Sequence, residues 1–321
     1  LEVTNWNKGL LQAGDSLTNG RSSPKIRKIG GTHSIIRHLV DRTNLAAMDA
    51  GAYTGATVWA ERRSMPKPDA AIVTAFNPER RSLQANFHRS AESGPMPHDR
   101  YFMEGLPSFL DSDGEYVFLA SGERTGMLVI RLPGDRDPND SIIEAATRTV
   151  VLKIQNQSHI EISSLGFHYV NQIPPGDARS RHAAMYSSAV QIRGDVKDIN
   201  INNCDFSSLT AGIVAFPEDR KTASIIDDVS ITKSRFDDID IAAIAMGNGQ
   251  GHYKLKNNGS RLIHATVQNN RLKNIGYRSL AHFGIGSHGH GINVAGGEVV
   301  DVSGNQIDRS WGSGISVTLG S

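Results

Sequence analysis

One short phrase returns five times in the second half of this chain of 321 residues, and that recurrence restricts its architecture more than any other feature. The copies are residues 160–167, 199–206, 229–236, 265–272 and 300–307, so their starts lie 39, 30, 36 and 35 positions apart. Each copy reads apolar-x-apolar-polar, then a small or amide turn, then an outward residue and one large apolar residue. Most are followed by a second short strand, at 212–214, 243–245, 291–294 and 314–317. Self-similarity at a period of roughly 20 to 50 residues marks a solenoid, and strand-only repeats with G-I-x-V closures mark a parallel β-helix. One turn cannot bury its own apolar row, so consecutive coils must stack at the strand spacing of roughly 4.8 Å. The expected fold is all-β, a right-handed parallel β-helix (a solenoid) with an N-terminal β-rich segment.

The bulk numbers agree with a thin columnar core. Apolar residues make up 38% of the chain and glycine contributes 32 positions, a turn-rich profile. A net charge of +1 offers no electrostatic footprint for nucleic acid or a membrane surface. No apolar run reaches the roughly 18 residues that a membrane-crossing helix needs. The single cysteine, Cys204, falls on an inward-turning position and reads as a small core hydrophobe rather than a nucleophile. The residues from Leu1 onward do not read as a signal peptide, as expected of a mature or trimmed form, and residues 318–321 follow a strand with no polar or helical cap. The solenoid is therefore expected to be truncated at its C-terminus.

Residues 1–145 do not repeat. Their strand-like runs at 57–60, 71–73, 116–119 and 127–132 are split by Gly and Pro, which predicts a β-rich cap or lid segment. Residues 89–100 read as a surface loop and 135–140 as a polar turn. Residues 146–321 form the expected β-helix, regular from residue 150 onward. Two insertions, 247–261 and 276–289, interrupt the coils on either side of one coil. Long inter-strand loops vary without breaking the stack, so these two are expected to rise beside a single groove.

Residues 100–106, 110–116 and 128–133 resemble the segment that precedes the repeats in carbohydrate-active β-helix proteins. Residues 55–59 and the pieces 303–307 and 313–317 fit the same pattern. The resemblance spans about residues 50–320. It implies a member of the pectate-lyase-like superfamily, similar to β-helix glycoside hydrolases that act on plant or algal polysaccharides. The N-x-I-H-D turn common in that family is here Asn305-Gln306-Ile307-Asp308-Arg309 and Asn270-Arg271-Leu272-Lys273-Asn274. No catalytic carboxylate is carried over from it.

Stacking the repeats aligns outward residues in columns. One reads Gly166, Asp205, Arg235, Arg271, Gln306; the next His168, Ser207, Asp237, Lys273, Asp308; the third Tyr169, Ser208, Asp238, Asn274, Arg309. Glycoside hydrolysis needs two carboxyl groups, about 5 Å apart for retention or 6.5 to 9.5 Å for inversion. Asp237, Asp238 and Asp308 are the candidates, with Asp240 beside them and Asp205 expected to face Asp238 across one coil step. Adjacent carboxylates such as Asp237 and Asp238 split their pKa values, which sets an acid beside a base. The plain alternative is that these aspartates form turns.

Lys233, Arg235, Arg271 and Lys273 make a cationic strip over two coils, suited to the uronate carboxylates of an acidic glycan and hence to β-elimination. Pairing with the nearby aspartates is the structural alternative. His282, His288 and His290 lie within nine residues, with Tyr277 and His252 as neighbours. That spacing suits a groove lining or a base, His290 above all, better than a metal site. Asn293 and Trp311 complete the expected substrate contacts, Trp311 as a sugar-stacking platform. Residues 14–20 look like the nucleophile block of GDSL esterases, but no buried strand precedes Ser16 and no Asp-x-x-His follows.

The sequence thus predicts a secreted, cell-surface or periplasmic enzyme that degrades a polysaccharide or oligosaccharide. A glycoside hydrolase comes first, a polysaccharide lyase second, and a non-catalytic glycan-binding β-helix is the reading from another class. No motif calls for a metal or cofactor, Ca2+ included, and the chain is expected to act as a monomer or homo-oligomer without nucleic acid or membrane.

Overall fold

Alternation of buried and exposed side chains organises the first of two units into which the chain divides, residues 1–144 and 145–321. The computed structural model describes residues 11–12, 27–29, 32–42, 44–46, 48–62, 65–88, 100–119, 126–171, 187–217, 223–247, 259–276 and 290–319. In the first unit, strands β1 (Leu11–Gln12), β2 (Arg27–Ile29), β3 (Thr32–Val40), β4 (Thr57–Arg62), β5 (Met65–Asn77), β6 (Ser82–His88) and β7 (Arg100–Glu104) form one antiparallel sheet. Its order is β1-β7-β4-β5-β6-β3-β2. Ala71 and Val73 are buried while Ile72 and Thr74 are exposed, the period of a sheet with one covered face. Leu39, Val58, Leu83, Ala85 and Tyr101 join them in one core.

Asp41 is buried at the edge of that core, and its carboxylate is satisfied. It accepts from the Tyr101 hydroxyl at 2.9 Å and from the backbone and side-chain amides of Asn44, each at 2.9 Å. Burial first, and the Asp41 charge second, hold the Tyr101 phenol far above its ordinary pKa, so it remains a donor. A separate hairpin follows, β8 (Tyr116–Phe118) with β9 (Leu128–Ile130). Its approach turn is closed by Glu115, whose Oε2 accepts from the backbone N–H of Asp111 at 2.8 Å and of Ser112 at 2.9 Å. Arg100, expected in a loop, is the first residue of β7, and 89–99 lie outside the described residues.

The second unit is a single curled sheet of 13 strands, every pairing parallel. The strands are β10 (Val150–Gln155), β11 (Ile160–Ser163), β12 (Gly166–His168), β13 (Ser188–Arg193), β14 (Val196–Asn202), β15 (Asp205–Phe216) and β16 (Ile225–Thr232). There follow β17 (Arg235–Gly247), β18 (Arg261–Gln268), β19 (Arg271–Ile275), β20 (His290–Ser303), β21 (Gln306–Ser310) and β22 (Ile315–Leu319). Among the described residues no α-helix occurs.

Pairing sorts these strands into three ladders. The first runs β10, β13, the later parts of β15 and β17, the start of β20, then β22. The second runs β11, β14, β16, β18 and the end of β20. The third runs β12, the early parts of β15 and β17, then β19 and β21. The five phrases stack residue for residue, with Ile160, Ile199, Val229, Ala265 and Val300 in one row.

Three rows explain why the phrase has its form. Its large apolar residue stacks on its counterpart: Phe167 on Phe206 with centroids 4.9 Å apart and rings at 5°, Phe206 on Phe236 at 4.6 Å and 4°. Its turn residue takes a positive φ in every copy: Ser164, Asn203, Lys233, Asn269 and Gly304. The next residue is buried and polar in the middle copies, where each side chain caps the preceding coil. The Cys204 N–H donates to Ser234 Oγ at 3.1 Å, the Ser234 N–H to Asn270 Oδ1 at 2.9 Å, and the Asn270 N–H to Asn305 Oδ1 at 3.0 Å. Cys204 is buried as expected, but it belongs to this polar row, and its thiol donates to the carbonyls of Ile162 and Asn202.

The glycine of the G-I-x-V closure has a steric cause. A Cβ on Gly212 would stand 2.4 Å from the Ala243 carbonyl oxygen and 2.8 Å from the Phe236 ring. A Cβ on Gly291 would meet the Gly314 carbonyl at 2.5 Å. The corner is narrow because the carbonyl of the next coil lies against it, with the large apolar row packed alongside. Phe206→Ala should therefore lower stability by about 3 to 5 kcal/mol through lost burial and an uncollapsed cavity. Gly212→Ala should cost about 1 to 3 kcal/mol through overpacking. Denaturant unfolding of each variant checks both, and an unchanged midpoint for Gly212→Ala would mean that the corner relaxes freely.

Candidate functional site

The outward face of the third ladder gathers most of the residues that carry chemistry. Gly166, Asp205, Arg235, Arg271 and Gln306 form one column, and His168, Ser207, Asp237, Lys273 and Asp308 the next. Both occur as the repeat spacing predicts. The third column, Tyr169, Ser208, Asp238, Asn274 and Arg309, is a row of left-handed residues with φ between 54° and 60°. Asn and Asp tolerate that conformation best, so Asp238 has a turn-forming role in addition to any other.

Asp237 is well held. Its side chain is 17% exposed, accepts from Asn274 Nδ2 at 3.1 Å, and lies 3.5 Å from the Arg235 guanidinium on its own strand. Lys273 is its neighbour in the next coil, and Asp308 follows one coil later. Asp308 is open to solvent at 62%, with Arg309 at 3.9 Å. Two strand steps put the backbones of Asp237 and Asp308 about 9.5 Å apart. An inverting glycosidase holds its two carboxyl groups about 6.5 to 9.5 Å apart to leave room for a water, a range that side chains on such backbones can span. Asp205 and Asp238 do not face each other. The register sets Asp205 opposite Arg235, and the αL residue Asp238 falls beside Ser208.

The cationic strip spans two neighbouring coils. Lys233 and Arg235 lie on one, Arg271 and Lys273 on the next, with Arg235 directly paired to Arg271. Arg271 Nε donates to Gln306 Oε1 at 3.2 Å. Two exposed guanidinium groups one strand spacing apart repel, an arrangement that Asp205 on one side and Asp237 on the other reduce.

His290 and Asn293 stand on the first ladder, not beside the aspartates on the third. Both are buried, at 7% and 2% exposure. The Ser313 N–H donates to His290 Nδ1 at 3.0 Å, so that nitrogen carries no proton and the ring's N–H is Nε2. The same turn is tied by Ser310 Oγ donating to the Ser313 carbonyl at 3.3 Å and by the Trp311 N–H donating to the Ile275 carbonyl at 2.8 Å. Trp311 is 51% exposed at the end of β21. The structure thus joins His290 and Trp311 through one turn that follows Asp308. Asp240, buried, lies where β17 passes from the third ladder to the first, at a register shift.

One feature escapes a reading by alternation. The outer side of the first ladder is also buried, with Ala211, Val214, Phe216, Ile241, Ala242 and Ala245 as a second apolar cluster. Gln191 and Arg193 are buried on the same ladder. Arg193 donates to the Pro217 carbonyl at 3.2 Å and stands 5.9 Å over the Phe216 ring. The signal was the unbroken apolar runs of 211–217 and 241–247, which mark a strand covered on both faces. Tyr277, His282, His288 and His252, together with the Ser16 block, lie outside the described residues.

The second ladder carries its charge at the corner away from these columns. Asp227 accepts from His264 Nδ1 at 2.7 Å and lies 3.5 Å from Lys197. The hydrogen bond from His264 is the largest effect on its carboxyl; with the lesser help of the Lys197 charge it holds the group below the usual aspartate range against desolvation. A depressed folded pKa contributes stability above the unfolded value, and that contribution is lost as pH falls through the folded value. Acid titration of unfolding should therefore show a loss below the ordinary carboxylate range that is smaller in His264→Ala. An identical acid limb in the two proteins would remove His264 as the cause. Comparison of the chain with protein-family models, with curated proteins and with solved structures finds no match in any of the three.

Proposed function

We propose that the second unit is a right-handed parallel β-helix of the pectate-lyase-like kind, and that its third ladder is the active face of a secreted or cell-surface enzyme that degrades a polysaccharide. A glycoside hydrolase is the reading supported best. The observation that carries it is the single column Asp237–Lys273–Asp308, two aspartates two strand steps apart along one ladder with a lysine between. In this scheme Asp237, positioned by Asn274 and Arg235, takes a proton from the attacking water, and Asp308 gives one to the departing glycosidic oxygen. Lys273 binds substrate oxygens between them, and Trp311 stacks on a neighbouring sugar ring.

The pairing of Arg235 with Arg271 favours a second reading, elimination on an acidic glycan. Two guanidinium groups on adjacent coils suit a uronate carboxylate, and Lys273 beside them is the base that removes the C5 proton. A non-catalytic glycan-binding face is the remaining outcome.

Incubation with neutral and uronic-acid polysaccharides, read by reducing ends and by unsaturated-product absorbance near 235 nm, separates these readings. Reducing ends without absorbance are expected. Asp237→Asn and Asp308→Asn should each lower that rate by about 100- to 10,000-fold, the usual contribution of a positioned acid or base. Absorbance that depends on Arg271 would replace hydrolysis by elimination, and binding without products would leave a lectin-like face.

A further inference from the structure

We infer that His168 and Tyr169 form an aromatic ledge that binds a sugar ring at the far end of the same strip from Trp311. The inference rests on the glycan-degrading reading given above. His168 begins the column that continues through Ser207, Asp237, Lys273 and Asp308, so the ledge lies about 9.5 Å, two strand steps, before Asp237.

Three features build it. His168 Nδ1 is 2.6 Å from Ser207 Oγ, which fixes the imidazole against the next coil. The ring then lies over Gly166, where a Cβ would stand only 3.1 Å from His168 Nε2. Every later coil has a long or charged residue at the Gly166 position, so the flat seat exists in this coil alone among the described ones. Tyr169 adds a second ring, 6.3 Å from the imidazole and inclined by 49°.

Tyr169 is also an unusual residue type for its position. It holds φ at +56°, in a column whose other members include Ser, Asp and Asn, and it is 54% exposed. The coil imposes that φ on every member of the column, so the choice of a bulky aromatic there, where Asn or Asp is tolerated best, costs backbone energy and sets an apolar ring at the surface. A pyranose face meets such rings well, because its axial C–H groups pack on them while its hydroxyls stay in water. Trp311 and this ledge therefore bracket the acidic column from both ends, and the occupant is an extended oligosaccharide that spans the coils.

Electrophoresis through gels containing polygalacturonate, alginate, xylan or a β-1,3-glucan tests the ledge, with reducing ends measured on the same polymers. The wild-type chain should be retarded in one of the gels. Tyr169→Ala should weaken that retardation by roughly three- to tenfold, as loss of one stacking contact does, while Tyr169→Phe keeps it. Thermal unfolding equal to wild type shows that the alanine variant is folded; if it is not, His168→Ala serves in its place. On the cleaved polymer KM should rise with kcat unchanged. Equal retardation of wild type and both alanine variants would overturn the ledge and leave the enzymatic reading standing. No retardation and no products with any polymer would overturn both.

Discussion

Coil-on-coil stacking of one apolar residue per repeat is the constraint on which the second unit depends. Phe167, Phe206, Phe236, Leu272 and Ile307 occupy the same row in successive coils. Face-to-face rings at 4.6 and 4.9 Å match the strand spacing, so aromatic packing and ladder hydrogen bonds call for the same register. The row fixes the corner glycines beside it and, through the strands on either side, every outward column. A polar row of Cys204, Ser234, Asn270 and Asn305 locks the adjacent turn. The outward columns of the third ladder are thus positioned by rows that are mostly buried.

How much was legible in the sequence follows from where each ladder is covered. The third ladder alternates between core and solvent, so the order Asp237, Lys273, Asp308 could be read by aligning repeats. The first ladder is covered on both sides, and alternation there says nothing about which residue faces which way. That is why His290 and Asn293 read as groove residues although they are buried, and why Arg193 and Gln191 drew no attention. Separation in the chain hid other features. Tyr101 and Asp41 meet across 60 residues in a sheet whose order, β1-β7-β4-β5-β6-β3-β2, no local pattern announces. The facing of Asp205 and Asp238 failed for a smaller reason. A facing pair must share a column, and these two fall three positions apart along the strand.

The electrostatics separate into two corners with different characters. On the second ladder Asp227, His264 and Lys197 satisfy one another, a solvated network of the kind that sets a pH profile. On the third ladder Arg235 and Arg271 are neighbours, and Lys273 is placed between carboxylates. A surface that only had to be soluble would gain from exchanging those neighbours. The sign alternates along the column from Asp237 through Lys273 to Asp308, while like charges meet across it at Arg235 and Arg271.

The spacing of the repeats, 39, 30, 36 and 35 residues, is unequal, yet the columns stay in step. All of the variation is absorbed between the phrases, as at 248–258 and 277–289, and none within them. Loop length and site geometry are therefore inherited separately. An insertion between phrases leaves Asp237, Lys273 and Asp308 aligned, whereas one residue added inside a phrase shifts its coil by half a pleat and turns its outward residues to the core. Such a chain can change its loops without moving the outward columns, much as a keyboard keeps its pitch when the case around it is rebuilt.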